Sequence, residues 1–460
     1  MRAYKGSLGA AITGGLREEV TAWAGAAVLA ELYRKAGVEA AVERSLPKKK
    51  SPKGVRQGQM VEVFVLLSAL GGECLEDMER LRADGGLVAL LGYRPPAAET
   101  ARQWLDRFHD DDLMAQGVQS RFNGIPAESG SLAGLREANR QVVRTYAGSV
   151  PPTWEVTLDV DAELVETSKA NAQYCYEGYR AFQPIEVVWA ETGLVLADEF
   201  RAGNVLAGQG MKEIVDAAYE MLPPGPWRVR VRSDSAAYQQ EVLDHWQERG
   251  WEFAVSADMS RQLRKEIEAL PSEAWKVWKI DEEEDVVREW AEVPFVPTRK
   301  REQRDAKPYR YVAIRVRRQQ GDLFADGVGV RHFAVVMNRW DLDGQALLEW
   351  QRGKAGTIEH VHHILKSELA GGVYPSAKHG ANAAWLRLQV LTHNLLQLLK
   401  AVALPPEYSN ARPKRLRFAV FTQFGRVVSH AGQVLVRIAT AAWEALTAHA
   451  LRRIEALSPG

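Results

Sequence analysis

The chain has 460 residues, of which 46% are hydrophobic and 26% charged, so it is long enough to bury more than one core and has a globular composition. Basic and acidic residues are equal in number, at 59 each, so the net charge alone indicates no polyanionic partner. No apolar stretch approaches the roughly 20 residues that span a bilayer. Two cysteines are too few for a disulfide framework, and the N-terminus lacks a signal-peptide pattern. We therefore expect a cytoplasmic protein with no membrane partner.

Helical spacing of apolar residues dominates the first part of the chain. It occurs over 21–36 and 60–70, and again in LEDMERLRADGGLVALLG. Residues 1–60 also carry eleven basic and five acidic side chains, with Lys48, Lys49 and Lys50 in one run. Clustered cations of this kind can neutralise phosphates. We predict a helical DNA-end-binding region over 1–150, and a small helical domain with no DNA contacts is the alternative.

From residue 154 the apolar residues alternate, which is typical of strands. WEVTLDVDAEL predicts a first strand, and QPIEVVWAE and LVLADEF predict a hairpin closed at Thr192 and Gly193. A helix over 209–221, the strand WRVRVRS, a helix over 236–249 and the strand WEFAVSA follow. Three strands followed by helix, strand, helix and strand is the order of a ribonuclease H-like fold. We predict that 151–258 form the first part of such an α/β core.

The rest of the chain completes this architecture. Residues 259–345 predict a mostly β insertion, within which 299–318 carry nine basic and two acidic side chains and begin with Arg299, Lys300 and Arg301. Helical spacing returns after 346, so 346–400 are predicted to be the second part of the core. We expect 401–460 to provide DNA or dimer contacts.

Three carboxylates stand out in this arrangement. Asp161 lies on the first predicted strand and Asp234 at the end of the fourth, and these strands are neighbours at the centre of the predicted sheet. Asp159 shares a strand face with Asp161 and is the alternative for the first position. In the later helix, Glu359 and Lys366 lie two turns apart on a face separate from the apolar stripe. Converging carboxylates hold the paired hard cations that catalyse phosphodiester transfer, so these residues predict a metal site.

The sequence resembles the DDE transposases of bacterial insertion sequences, most closely those of insertion-sequence family 1380. The resemblance covers about 150–400. The motifs that carry it are TLDVDAELVETSK, YRAFQPIEVV, ETGLVLADEFRAGN, VRVRSDSAAY and KAGTIEHVHHILKSELAGGVYPSAKHGANAAWLRLQVLTHNLLQLLKA.

The resemblance implies that Asp161, Asp234 and Glu359 are the catalytic residues and hold two Mg²⁺ ions, for which Mn²⁺ can substitute. It assigns Lys366 to DNA contact. Arg352 stands where the family has a tyrosine and Ala355 where it has an arginine, so Arg352 and Lys354 are expected to supply the cationic contacts instead. In some relatives, a tryptophan of the insertion stacks on a flipped base. Trp275, Trp278 and Trp290 are the candidates for that role here. The alternative for each is packing in the core, which is more common for tryptophan.

The function implied is metal-dependent cleavage at the ends of an insertion sequence, followed by strand transfer into target DNA. The implied partners are the terminal inverted repeats, target double-stranded DNA and a second copy of the chain, in the bacterial nucleoid. Two alternatives remain at this point. One is a catalytically inactive copy that only binds DNA, and the other is a ribonuclease H-like nuclease without strand transfer.

Overall fold

A computed structural model describes residues 4–5, 11–12, 19–49, 53–117, 124–151, 153–283, 285–297, 309–318, 329–430 and 433–458. Lys50, Arg299, Lys300 and Arg301 lie outside the described residues. The fold is mixed α/β, with a large mixed sheet preceded and followed by helices.

Short strands and helices form the first part of the chain. The strands are β1 (Tyr4–Lys5), β2 (Ala11–Ile12) and β3 (Val20–Thr21). The helices are α1 (Ala26–Lys35), α2 (Val38–Ser45), α3 (Gln57–Leu70), α4 (Met78–Ala83), α5 (Gly85–Leu91), α6 (Ala98–Asp106), α7 (Asp111–Gly117) and α8 (Gly130–Ser149). Helices therefore lie within 26–35 and over 60–70, where the apolar spacing predicted them, whereas Val20–Thr21 form a strand.

Strands and two helices alternate over the next segment. They are β4 (Glu155–Ala162), β5 (Val165–Glu166), β6 (Gln173–Tyr174), β7 (Arg180–Phe182), β8 (Ile185–Trp189), β9 (Leu194–Glu199), α9 (Met211–Met221), β10 (Arg228–Ser233), α10 (Gln240–Glu248) and β11 (Glu252–Ala257). The hairpin β8–β9 turns at Thr192 and Gly193, as the sequence predicted, and Gly193 takes the left-handed conformation that the turn requires.

The remaining elements are one helix, four strands and then a mostly helical segment within the described residues. They are α11 (Arg261–Glu268), β12 (Lys276–Asp281), β13 (Val286–Val293), β14 (Arg310–Arg318), β15 (Val330–Met337), α12 (Gly344–Arg352), α13 (Ile358–Glu368), α14 (His379–Val402), α15 (Pro413–Leu416), β16 (Gly425–His430), β17 (Gln433–Ile438) and α16 (Ala441–Glu455).

Nine of the described strands form one sheet, in the order β12–β13–β14–β15–β11–β10–β4–β8–β9. At its centre, β4 is parallel to β10, and β10 is parallel to β11. The strands β8 and β9 add to the other side of β4 in antiparallel directions. The strands of 259–345 join this sheet through the antiparallel pair β15–β11. They therefore extend the sheet rather than form a separate one.

The helix α14 covers the β9 edge of this sheet. Nearly all of its residues are buried, because it lies between the sheet and the first helices, α3 and α8. The Asn394 side chain accepts a hydrogen bond from the Val195 backbone N–H at 2.9 Å and donates one to the Val195 carbonyl at 2.7 Å. The Asn139 side chain also donates to the Val195 carbonyl, at 3.1 Å, so both asparagines satisfy backbone groups of this edge strand. The helices and the sheet are thus tied together at this edge.

No single helix of the described residues is long and apolar enough to cross a membrane, although α3 and the bent segment after it would pass together on length and composition alone.

Candidate functional site

Two carboxylates meet at the carboxyl ends of the central parallel strands. Asp161 is near the end of β4, and Asp234 directly follows β10. Val160 and Ser233 are paired across the two strands, so the residues that follow them emerge side by side. Asp161 and Asp234 line one cleft with a cavity volume of about 420 Å³. Other side chains that line this cleft are those of Glu163, Tyr176, Glu177, Tyr179, Gln183, Ser235 and His362.

The two carboxylates act on each other electrostatically. Burial raises the pKa of Asp234, and the negative charge of Asp161 raises it further. The Lys354 ammonium group acts in the opposite direction. Lys354 is largely buried, and its Nζ lies 2.6 Å from an Asp161 carboxylate oxygen. The cleft is therefore rich in carboxylates, one of which binds the Lys354 ammonium group.

Asp159 has a different environment from Asp161. It is fully buried, and its two oxygens accept hydrogen bonds of 2.6 and 2.8 Å from the Arg232 guanidinium group. The Thr357 hydroxyl also donates to it. Arg232 is held in turn by a hydrogen bond of 2.5 Å to the Trp350 carbonyl. Charge and hydrogen bonding saturate Asp159, which leaves no accessible oxygen for a ligand.

Glu359 does not line the cleft. It is exposed in the first turn of α13, and no group of three His, Cys, Asp or Glu side chains within the described part of the chain is close enough to hold a metal ion. The structure therefore brings Asp161 and Asp234 together but not Glu359 with them. Glu359 nevertheless shares its helix face with His362, one turn later, which does line the cleft.

His362 forms a buried contact that the sequence did not identify. Its Nε2 atom lies 3.1 Å from a carboxylate oxygen of Glu186, and both side chains are buried. Glu186 is the register partner of Asp161 across β4 and β8. Burial disfavours the charged imidazole, but the Glu186 carboxylate outweighs this and raises the pKa of His362. The one feature of the sequence that could have indicated this contact is Glu186, a glutamate inside the apolar strand IEVVW.

The predicted DNA-contacting cations differ in their surroundings. Lys354 is engaged with Asp161, and Lys366 donates to Glu163 at 2.9 Å and to the Leu164 carbonyl at 3.2 Å. The exposed Arg352 places its guanidinium group 4.3 Å from the centre of the Trp278 ring.

Two lysines of the first basic run are described. Lys48 is exposed, whereas Lys49 donates to the carbonyls of Lys53 and Val55 at 2.8 and 2.7 Å. The Lys49 ammonium group therefore uses two of its hydrogen bonds within its own loop.

The tryptophans of the predicted insertion are mostly packed. Trp275 and Trp290 are buried, and Trp278 is partly exposed beneath Arg352. The Arg315 guanidinium group also lies 4.3 Å from the centre of the Trp275 ring. Core packing therefore accounts for two of the three.

Taken together, the fold and the cleft define a mixed α/β protein with an acidic site at the carboxyl ends of two adjacent parallel strands. The family described as transposase DDE domain group 1 matches residues 7–459, and the chain belongs to this family. Its members are DNA-binding proteins of DNA transposition and generally use divalent metal ions.

No curated protein matches the chain. A solved structure that is similar is the cryo-EM structure of the piggyBac transposase synaptic complex with hairpin DNA. It has a TM-score of 0.41 and 8% sequence identity, and the match covers 81% of this chain and 72% of that chain.

Proposed function

We propose that this chain cleaves the ends of an insertion sequence and transfers them into target DNA, with Asp161, Asp234 and Glu359 as its metal-binding carboxylates. The observation that carries the proposal is the meeting of Asp161 and Asp234 in one cleft at the ends of neighbouring parallel strands. The strand order β9–β8–β4–β10–β11, with β8 antiparallel and β10 parallel to β4, supports a ribonuclease H-like core around them. The sequence motifs support a relationship to insertion-sequence family 1380.

The donor set of the cleft fits a hard divalent cation such as Mg²⁺. Carboxylate oxygens are the ligands that such ions prefer. Burial raises the pKa of Asp234 and the charge of Asp161 raises it further, and a cation held there would favour the ionised carboxylate. Two ions held by these residues would supply activation of the attacking oxygen and neutralisation of charge on the leaving oxygen.

The side chains around the cleft have distinct parts in this proposal. Asp161 must exchange the Lys354 ammonium group for a metal ion, because both would use the same carboxylate. Glu359 must approach from α13, and the short segment Gly353–Gly356 that carries Lys354 leads directly into that helix. A shift of this segment would therefore move Lys354 and Glu359 together. Arg352, Lys354 and Lys366 would then be available to phosphates of the DNA.

Asp159 is assigned a supporting part. Its bidentate pairing with Arg232 and its bond from Thr357 fix the strand that carries Asp161 to the segment before α13. Asp161 is the partly exposed member of the pair and lines the cleft. These placements favour Asp161 as the first catalytic residue.

The test uses duplex DNA carrying the element ends, with Mg²⁺ or Mn²⁺. Asp161→Asn, Asp234→Asn and Glu359→Gln should each abolish cleavage while the chain stays folded and still binds element ends, and the exposed Asp112→Asn is the matched control that should cleave normally. Cleavage by Asp234→Asn would refute the assignment. End binding by the unaltered chain without cleavage in either metal would indicate a DNA-binding copy. Cleavage without joining of pre-cut ends would indicate a nuclease.

A further inference from the structure

A tyrosine-rich hairpin lies at the edge of the acidic cleft. The strands β6 and β7 are joined by a turn over 175–179, and Tyr174, Tyr176 and Tyr179 fall within six residues of one another. Tyr176 is 79% exposed and Tyr174 is 61% exposed. Large aromatic side chains with this much exposure contribute little to the core, and a cluster of them beside a cleft marks an interaction site.

The hairpin presents these rings from a fixed backbone. The Cys175 N–H donates to the Tyr179 carbonyl at 2.9 Å, and the Gly178 N–H donates to the Cys175 carbonyl at 3.0 Å. Gly178 has a φ of 87°, which a glycine adopts without strain. The Arg180 guanidinium group anchors the base of the hairpin through the carbonyls of Ala170 and Ala172, at 2.7 and 2.8 Å. A fixed turn positions its side chains with little entropy to lose on binding.

Two of the three tyrosines belong to the cleft itself. Tyr176 and Tyr179 line it together with Asp161 and Asp234, whereas Tyr174 does not. Desolvation raises the pKa of Tyr176, and the charges of Glu177 and Asp234 raise it further. The hydrogen bond to Glu177 is the main reason that the pKa of Tyr179 rises to about 12. Both hydroxyls therefore remain neutral at physiological pH.

The charges and aromatic rings at this edge of the cleft determine which part of a nucleic acid can bind there. Without a bound cation, the carboxylates of Asp161, Glu163, Glu177 and Asp234 repel phosphates, so the tyrosine edge of the cleft has no charge of its own that attracts the DNA backbone. Neutral aromatic rings bind the π-faces of bases instead, and they do so without requiring a particular sequence. A base can present its face only if it is unpaired or unstacked.

We propose that Tyr176 and Tyr179 form a stacking site for one unpaired base of the DNA strand whose phosphate lies at Asp161 and Asp234. This inference rests on the proposed function. The carboxylate side of the cleft would hold the phosphate through the divalent cations of the proposed function, and the rings of Tyr176 and Tyr179 would hold an adjacent base. The site favours DNA ends with an unpaired base beside the reacting phosphate over fully paired duplex.

The experiment measures binding rather than cleavage, in the Asp234→Asn chain. The probe is an element-end duplex with one unpaired 2-aminopurine next to the cleavage position. Stacking should quench its fluorescence. Tyr176→Ala and Tyr179→Ala should each weaken binding of this probe by about tenfold and remove the quenching, since one base–aromatic stack has roughly that value.

Three controls distinguish base stacking from a hydroxyl contact, from a general effect of the hairpin and from a loss of folding. Tyr176→Phe and Tyr179→Phe keep the ring and should retain both binding and quenching. Tyr174→Ala removes an exposed tyrosine of the same hairpin that lies outside the cleft lining, and it should bind as the parent does. Each variant should unfold at the temperature of the parent, because the altered side chains are exposed or only partly buried.

The results of these measurements can overturn the proposed stacking site. Unchanged binding in both alanine variants would overturn it, as would an equal loss in the phenylalanine variants or in Tyr174→Ala. Cleavage by the Asp234→Asn chain would refute the catalytic assignment but leave the stacking result standing. Failure of the parent chain to bind any element-end DNA would overturn both proposals.

Discussion

The Lys354 ammonium group lies 2.6 Å from the Asp161 carboxylate, although the two residues are 193 positions apart in the chain. Both side chains are mostly shielded, with 10% and 20% of their surfaces exposed. This contact joins the segment before α13 to the end of β4. It also places a cation beside two carboxylates that repel each other.

Removing this cation should destabilise the protein. We expect Lys354→Met to lower the free energy of unfolding by about 1–3 kcal/mol at neutral pH, because a shielded carboxylate loses its hydrogen-bonded partner. In Asp161→Asn/Lys354→Met the loss should be smaller than the sum of the single effects, as a double-mutant cycle in denaturant would show. The exposed Lys48→Met is the control. Additive single effects would mean that the contact contributes nothing in solution.

The ionised Asp234 side chain should lower the free energy of unfolding at neutral pH. Its pKa is raised in the folded chain by burial and by Asp161, so folding disfavours the ionised form. Above the raised pKa this cost is fully present. It declines as the pH falls through that value towards the ordinary carboxyl pKa, because the folded state then takes up a proton first. Asp234→Asn should therefore stabilise the chain at pH 7 in a chelator and have little effect near pH 3, as measured by unfolding across pH. A loss of stability at pH 7 would contradict this interpretation of the site.

Asp159→Asn and Asp161→Asn should have different effects on stability and activity. Asp159→Asn leaves the buried Arg232 without its charge partner and should cost about 3–5 kcal/mol of unfolding free energy. Asp161→Asn should be much milder in stability but should abolish DNA cleavage. Denaturant unfolding together with an end-cleavage assay distinguishes the two. Equal destabilisation by both substitutions would remove the basis for assigning them different parts.

The pair formed by His362 and Glu186 should position α13 against β8. Glu186→Gln should cost about 3 kcal/mol near pH 6, because it removes the carboxylate that raises the pKa of the buried His362 side chain. The pKa of His362 is raised in the folded chain, so the stabilisation is complete below the ordinary histidine pKa and is lost as the pH rises through the raised value. The cost of Glu186→Gln should therefore shrink between pH 6 and pH 9. His363→Asn, on the exposed side of the same helix, is the control, and a cost that did not change with pH would exclude a charged pair.

Glu359 offers a test that separates catalysis from stability. It is exposed, so Glu359→Gln should change the free energy of unfolding by less than about 0.5 kcal/mol. Cleavage of element ends should nevertheless be lost if α13 brings this carboxylate into the cleft. Parallel measurements of unfolding and cleavage on one preparation would check this. Full cleavage by Glu359→Gln would show that the third carboxylate is another residue.

The sequence by itself determined the local elements and their order. The alternation in WEVTLDVDAEL, the turn at Thr192 and Gly193, and the succession of β10, α10 and β11 all depend on neighbours within a few residues, so periodicity and turn chemistry were sufficient. The order of the strands also led to the expectation that Asp161 and Asp234 lie on neighbouring strands, and β4 and β10 do pair in parallel.

Only the tertiary structure decided which of these side chains have partners. Asp159 and Asp161 are equivalent by alternation, yet Arg232 and Thr357 saturate one and the cleft receives the other. Lys354 and Glu359 lie five residues apart in a segment predicted to be cationic and catalytic, but packing buries Lys354 against Asp161 and leaves Glu359 exposed. Such choices follow from contacts between elements about 200 residues apart, whose geometry depends on the packing of α12–α14 against the sheet, and no local pattern in the chain contains that information.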